Sequence, residues 1–250
     1  MMIPKTQMNK NIIATSIASL GFVVGIALLG NAVKNRNKSE NTISVTGLGT
    51  KKFTSDLITW SGNFSRNSYE LKSAYDELAN DRKIIENYLI SKGIKKEELV
   101  FSAVDIRKQV EYSTDANGSS RSTFAGYELS QTVSIESKDV ARIENLSRNI
   151  TEIINLGIVF TSSAPSYFYT KLADVKQEMI ADATKDAKQR AEKIADNAGS
   201  SLGNLKKATM GVIQITAPNS DEDYSYGGTF NTSSKEKEAS ITIKLDYIVD

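Results

Sequence analysis

From Asn11 to Val33 the chain reads NIIATSIASLGFVVGIALLGNAV and holds no charged residue. Coiled as a helix at about 1.5 Å per residue, such a run crosses a hydrocarbon layer of about 30 Å. Lys5 and Lys10 precede it, and Lys34, Arg36 and Lys38 follow. A core helix with basic clusters at both ends is disfavoured, so the remainder of the chain has to fold without this segment. The run reads as a single membrane anchor. A signal peptide is the alternative, since Gly30 and Ala32 have the small-residue spacing of a cleavage site, but the run exceeds the usual apolar region of about 7 to 15 residues. Charge leaves its orientation open: two basic residues and the terminal amine stand before the run, three basic residues after it.

The organisation that follows is a short basic N-terminus at 1–10, a transmembrane anchor or uncleaved signal segment at 11–33, a linker at 34–41 and a folded domain at 42–250. With 250 residues and 40% hydrophobic content, the chain has ample material for a buried core. It contains neither Cys nor His. Cys/His zinc sites, Ser-His-Asp triads and cysteine nucleophiles are therefore excluded, and cysteine usage says nothing of the redox compartment. Net charge is +1, yet the five basic residues ahead of Glu40 leave 26 basic against 30 acidic residues in the rest, a net of −4. A mildly acidic body argues against nucleic acid as a partner, because phosphate neutralisation supplies most of that affinity.

The domain opens with TISVTGLGTKKF, an apolar/polar alternation whose Gly47 and Gly49 point to a bulge or bend. In DLITWSGNFSRN, Ile58, Trp60 and Phe64 share the inward face of a strand. Ser68 is placed to cap a helix carrying Leu71, Tyr75, Leu78, Ile85 and Leu89 inward, ended by Gly93. Leu99–Tyr112 and Phe124–Ser137 form a long hairpin across a polar turn segment. Asp139 starts a second helix with Val140, Ile143, Leu146, Ile150 and Ile153 or Ile154 inward, stopped by Gly157. A strand bent, or placed at a sheet edge, by Pro165 precedes a third helix at about 170–197, whose Leu172, Val175, Met179, Ala183, Ala187, Ala191, Ile194 and Ala198 recur at three- and four-residue spacing. Gly199 is its left-handed cap. Strands at 205–217 and 239–249 close the chain around a long loop, expected to be mobile.

Three strings carry a resemblance. ISVTGLGTKKFTSDL (43–57), FAGYELSQTVSI (124–135) and ADATKDAKQRAEKIADNAGSSLG (181–203) resemble, in order and spacing, the opening strand, the Gly-Tyr strand and the Ala-rich helix of the SIMPL-domain family. These are exported or membrane-linked bacterial proteins that include oxidative-stress-defence and immunogenic envelope proteins. Ser55 stands where members often have Pro. The resemblance implies an α+β domain on the outer side of the cytoplasmic membrane, sometimes assembled into rings, with no catalytic residues to carry over. The expected fold is thus α+β, an antiparallel sheet with long hairpins packed against about three amphipathic helices, preceded by an N-terminal transmembrane helix.

The candidate sites are few. Ala183, Ala187, Ala191 and Ile194 form a small-residue seam suited to close packing or to an oligomer contact. The charges around it, including the Asp182/Asp186 pair, read as a solvated surface. Asp221, Glu222 and Asp223 form a weak calcium candidate without EF-hand spacing. Asp105, Glu111 and Glu128 on the hairpin are the carboxylates a hydrolase would need. Tyr167, Phe168 and Tyr169 read as core, with a partner surface as the alternative. No cofactor is expected. The function expected is a non-enzymatic envelope protein acting by self-assembly or by binding an envelope protein; a small-ligand or polysaccharide-binding module is the alternative, and a carboxylate-dependent hydrolase the third.

Overall fold

The computed structural model describes residues 5–36, 41–114 and 120–249, with side chains in the first helix described for residues 14–30. In chain order the elements are α1 (Lys5–Arg36), β1 (Thr42–Thr54), β2 (Leu57–Ser68), α2 (Leu71–Ser91), β3 (Leu99–Phe101), β4 (Asp105–Thr114), β5 (Ser120–Ser137), α3 (Val140–Asn149), β6 (Phe160–Ser162), β7 (Ser166–Phe168), α4 (Leu172–Asn197), β8 (Leu202–Met210), β9 (Gln214–Thr216) and β10 (Glu236–Val249). The α+β class is as expected, but the strands form two sheets rather than one. The first is ordered β1-β10-β8 with β9 on β10; the second is ordered β3-β5-β2-β6 with β4 on β5 and β7 on β2. The expected strand around Pro165 is two short strands, β6 and β7, both antiparallel to β2.

By contacts the chain divides into two compact units, one of residues 1–45, 190–207 and 246–250, the other of residues 46–189 and 208–245. In the first, α1 is one continuous helix, with Ile17, Leu20, Phe22, Val23, Ile26 and Leu29 exposed. The side chains described there cover roughly 25 Å of helix. Among the described residues no helix is long and apolar enough to cross a membrane. Residues 1–4 of the basic N-terminus, 37–40 of the linker and 115–119 of the hairpin turn lie outside the described residues. Ala191 and Ala195 are buried on the last turns of α4, and Gly199 ends it at φ 72°.

In the second unit the inward face of β2 is Ile58, Trp60 and Phe64, as its alternation predicts. These residues pack with Leu129, Val133 and Ile135 of β5, which runs antiparallel from Ile58↔Ser137 to Ser68↔Tyr127. Val140, Ile143 and Leu146 of α3, then Ile150 and Ile153 of the following 3-10 turn, cover the same core, and Gly157 closes that turn at φ 78°. Ile154 is exposed.

The inward face of α2 departs from its predicted set. Leu71 and Tyr75 are exposed, Ser68 does not cap the helix, and the buried stripe is Ala74, Leu78, Asp81, Ile85 and Leu89. The stripe is displaced because Asp81 belongs to it. Arg66 continues the inward register of β2 and donates both Nε and Nη2 to the Asp81 carboxylate, at 2.5 and 2.8 Å, and Nη2 also to Gly157 O at 3.0 Å. The carboxylate bond holds the guanidinium above its ordinary pKa. One ion pair, buried on its Asp81 side and partly exposed at Arg66, thus ties β2, α2 and the end of the 3-10 turn together.

Gly47 and Gly49 do not bend β1, which is continuous. Both face α4, and a Cβ on Gly47 would lie 2.1 Å from Ala183 O and 2.5 Å from Ala187 N; on Gly49, 2.3 Å from Met179 O. The glycines let the strand touch helix backbone directly. Leu48 N donates to Asp186 Oδ2 at 2.9 Å and Lys51 pairs with Glu178 at 2.6 Å. Asp186, read from sequence as solvated, thus satisfies an amide on the edge of the sheet. At the end of β1, Asp56 accepts from Thr170 N and Oγ1, both at 2.7 Å, and fixes the chain entering α4. The adjoining Ser55 is buried and its Oγ has no hydrogen-bond partner among the described residues.

Three stability outcomes follow for urea unfolding of the full chain in detergent. Gly47→Ala lowers stability by about 3 kcal/mol, because a backbone clash has no side chain to absorb it. Asp81→Ala costs about 2 kcal/mol by removing the carboxylate partner of the partly exposed Arg66 guanidinium. Ser55→Ala is neutral or stabilises by about 1 kcal/mol, since it removes a buried hydroxyl without a partner.

Candidate functional site

The family-like strings are largely spent on architecture. Gly47, Gly49, Ala183 and Ala187 make the strand–helix contact, Asp56 starts α4, and Gly126, at φ 119°, sits beside the β4–β5 bulge. The structure places Ala183, Ala187 and Ala191 on the buried face of α4. Ile194, however, is 48% exposed, and Ala195 takes the buried position. The buried stripe keeps a strict four-residue step, so the three-residue step to Ile194 points off it.

The segment between β9 and β10 is tightly knit. The Gln214 side chain accepts from Ser225 N at 3.2 Å and Thr229 N at 2.8 Å, and donates to Ser225 O at 2.8 Å. Glu222 is engaged by Ala217 N and the Asn231 side-chain amide, whereas Asp221 and Asp223 are exposed. The three acids therefore do not converge, and among the described residues no group of three or more acids could hold a metal ion. Lys237 is buried and donates to Asn231 O at 2.6 Å and Ser234 O at 2.8 Å. Burial pushes its ammonium below the ordinary lysine value, with the Glu222 charge opposing. No sequence signal marks a buried lysine of this kind, because its partners are carbonyls that only the folded loop brings together.

This ordered loop walls an open groove of about 540 Å³ bounded by Leu48, Val212, Gln214, Tyr224, Tyr226 and Thr242. Tyr226 is fully exposed over it, and Ser240 Oγ lies 3.4 Å from Tyr224 Oη. A preformed concavity with apolar walls and a few polar groups is the general form of a small-ligand site.

The second feature is the ribbon of β4 and β5. Asp105–Thr114 pairs antiparallel with Ser120–Ser130, with Ala125 bulged between Gly126 and Phe124. Ile106 is 52% and Tyr112 74% exposed; Val110 and Phe124 are exposed beside them. Tyr69, Phe124 and Tyr127 form an edge-to-face row, with the Lys108 ammonium 5.4 Å from the Phe124 ring. Of the hydrolase carboxylates, Asp105 pairs with Arg107 at 2.8 Å, Glu128 accepts from Gln109 at 2.5 Å, and Glu111 lies opposite Thr123. Asp105 and Glu111 are about 20 Å apart along the strand.

The aromatic triplet is mostly structural. Tyr167 is buried and donates to Glu144 Oε1 at 3.1 Å, the Phe168 ring faces Phe230, and Tyr169 meets Phe53. Glu144 also takes Arg148 at 3.1 Å and Lys235 at 3.2 Å. Burial pushes the Glu144 carboxyl up, but the bonds from Lys235 and Tyr167 and the charges of Lys235 and Arg148 outweigh it and hold it below the usual carboxylate value.

A family model described as SIMPL, protein of unknown function (DUF541), matches residues 43–246. No curated protein matches the chain.

Because the folded-state pKa of Glu144 is depressed, its contribution is complete above the ordinary value of 4.5 and is lost as pH falls through the lower folded value. Glu144→Gln is expected to cost about 1 kcal/mol at neutral pH and to flatten the acid limb of stability, measured by urea midpoints between about pH 3 and 7.

Proposed function

The chain belongs to the SIMPL family, and from that premise we propose that it is a non-enzymatic envelope protein, held in the cytoplasmic membrane by its N-terminal helix, whose outer domain works through contact surfaces. The uncharged run at 11–33 extends three residues beyond each end of the described helix side chains, and this length supports the anchor. The single observation that carries the contact reading is the β4–β5 ribbon, which presents Ile106, Val110, Tyr112 and Phe124 to solvent. A two-stranded ribbon alone is marginal in water and gains from a covering partner. Self-association or an envelope protein partner provides that cover.

The test is sedimentation velocity of the full chain, extracted from membranes in mild detergent, together with affinity capture under the same conditions. Oligomers or a stoichiometric partner are expected, and replacing Ile106 and Tyr112 together by Ser disperses them. A monomer at all concentrations with empty capture overturns the proposal.

The groove supports a second reading, a small-ligand or polysaccharide-binding module, because Tyr226 stands fully exposed over a concavity already shaped by Gln214. Native mass spectrometry is expected to retain a ligand that Tyr226→Ala releases; a bare mass with no thermal shift across a glycan and metabolite panel removes this reading.

A further inference from the structure

β4 gives one edge to β5, and among the described residues no strand pairs with its other edge. Along it, Ile106, Lys108, Val110 and Tyr112 share one face, and Asp105, Arg107, Gln109, Glu111 and Ser113 the other. Its four charges cancel. Folded strands of this length normally have their free edge covered or blunted, and here the order of the charges selects a particular cover.

Set antiparallel to a second β4 with Gln109 on a two-fold axis, the strand complements itself. Ile106 meets Tyr112, Arg107 meets Glu111, the Lys108 stem meets Val110, and Gln109 meets its own copy. Each unlike pair occurs twice, apolar face joins apolar face, and no like charges are opposed. Neighbouring registers lose this. With Lys108 on the axis, Lys108 faces Lys108 and Asp105 faces Glu111. With Val110 there, Arg107 faces Ser113 and Ile106 faces Thr114. A shift by an odd step opposes the apolar face to the polar one.

We propose that a second copy of this chain docks on β4 in this register, joining two ribbons into one four-stranded antiparallel sheet across a two-fold axis. The proposal rests on the self-association reading above and specifies its surface. Arg107 already touches Asp105 and faces Glu128 across the ribbon, so the second copy's Glu111 adds a carboxylate to a cation held in place.

Charge exchange tests it on the full chain in detergent. Arg107→Glu and Glu111→Arg are each expected to weaken the dimer roughly 10-fold in sedimentation equilibrium, and the double variant to return within about 3-fold of the parent. Because the chain has no cysteine, Gln109→Cys is expected to cross-link under mild oxidation, its Cα atoms lying about 4.5–5.5 Å apart across the axis, within disulfide reach. Ser113→Cys, about 26 Å from its copy along the strand, stays uncross-linked. A dimer indifferent to both single charge changes, with Gln109→Cys uncross-linked, overturns this surface and leaves self-association through another. A monomer throughout overturns both.

Discussion

Where α4 lies on β1, backbone meets backbone. At Gly47 and Gly49 the approach leaves no room for a Cβ; the helix presents Ala183 and Ala187 opposite Gly47 and the Met179 carbonyl opposite Gly49. Dispersion falls steeply with distance, so removing side chains from both partners brings many main-chain atoms into contact at once. The consequences spread outward from this point. Asp186 can reach the Leu48 amide only because helix and strand are this close, and Asp56 holds the chain entering α4 so that the alanine stripe arrives in register with the glycines. The Gly-x-Gly and Ala-rich strings are therefore two halves of one contact.

A second constraint acts on the other sheet. The Arg66–Asp81 pair lies within the stripe that α2 turns toward β2. A buried pair of this kind contributes little net stability against an apolar substitute, since desolvation offsets attraction. It does favour one alignment, because a rotation of α2 that buried Leu71 and Tyr75 would break the two-point bond between Arg66 and Asp81. With the two sheets held in these ways, the groove beside Gln214 and the β4–β5 ribbon are two features that architecture does not use up. Their exposed tyrosines and apolar residues are the observations on which the proposed contact function rests.

Much of this was legible in the residues themselves. The alternation of Ile58, Trp60 and Phe64, the spacing of Val140, Ile143 and Leu146, and Gly157 and Gly199 as stops all report local periodicity and local backbone conformation, which neighbouring residues encode. The misplaced features share a different origin. On α2 the expectation holds for Leu78, Ile85 and Leu89 and fails for Leu71 and Tyr75, because an acid such as Asp81 gives no local sign of burial and its partner Arg66 lies 15 positions away. In sequence Gly47 and Gly49 suggest a bulge or bend because a glycine records only that a side chain is unwelcome, and whether the cause is a turn or a neighbour depends on Ala183. The loop before β10 looked mobile by composition, yet Gln214 and Glu222 bind its amides across the fold.

The sequence by itself determined where the helices and most strand segments lie, the family, the uncharged N-terminal run and the absence of thiol and imidazole chemistry, because each depends on residue identity or on spacing along the chain. Only the tertiary structure decided which polar residues are buried, that the strands divide into two sheets, which alanines meet which glycines, and that β4 keeps a free edge. Those outcomes depend on pairings between distant segments, whose partners are chosen by packing and by the requirement that every buried charge and amide find a counterpart.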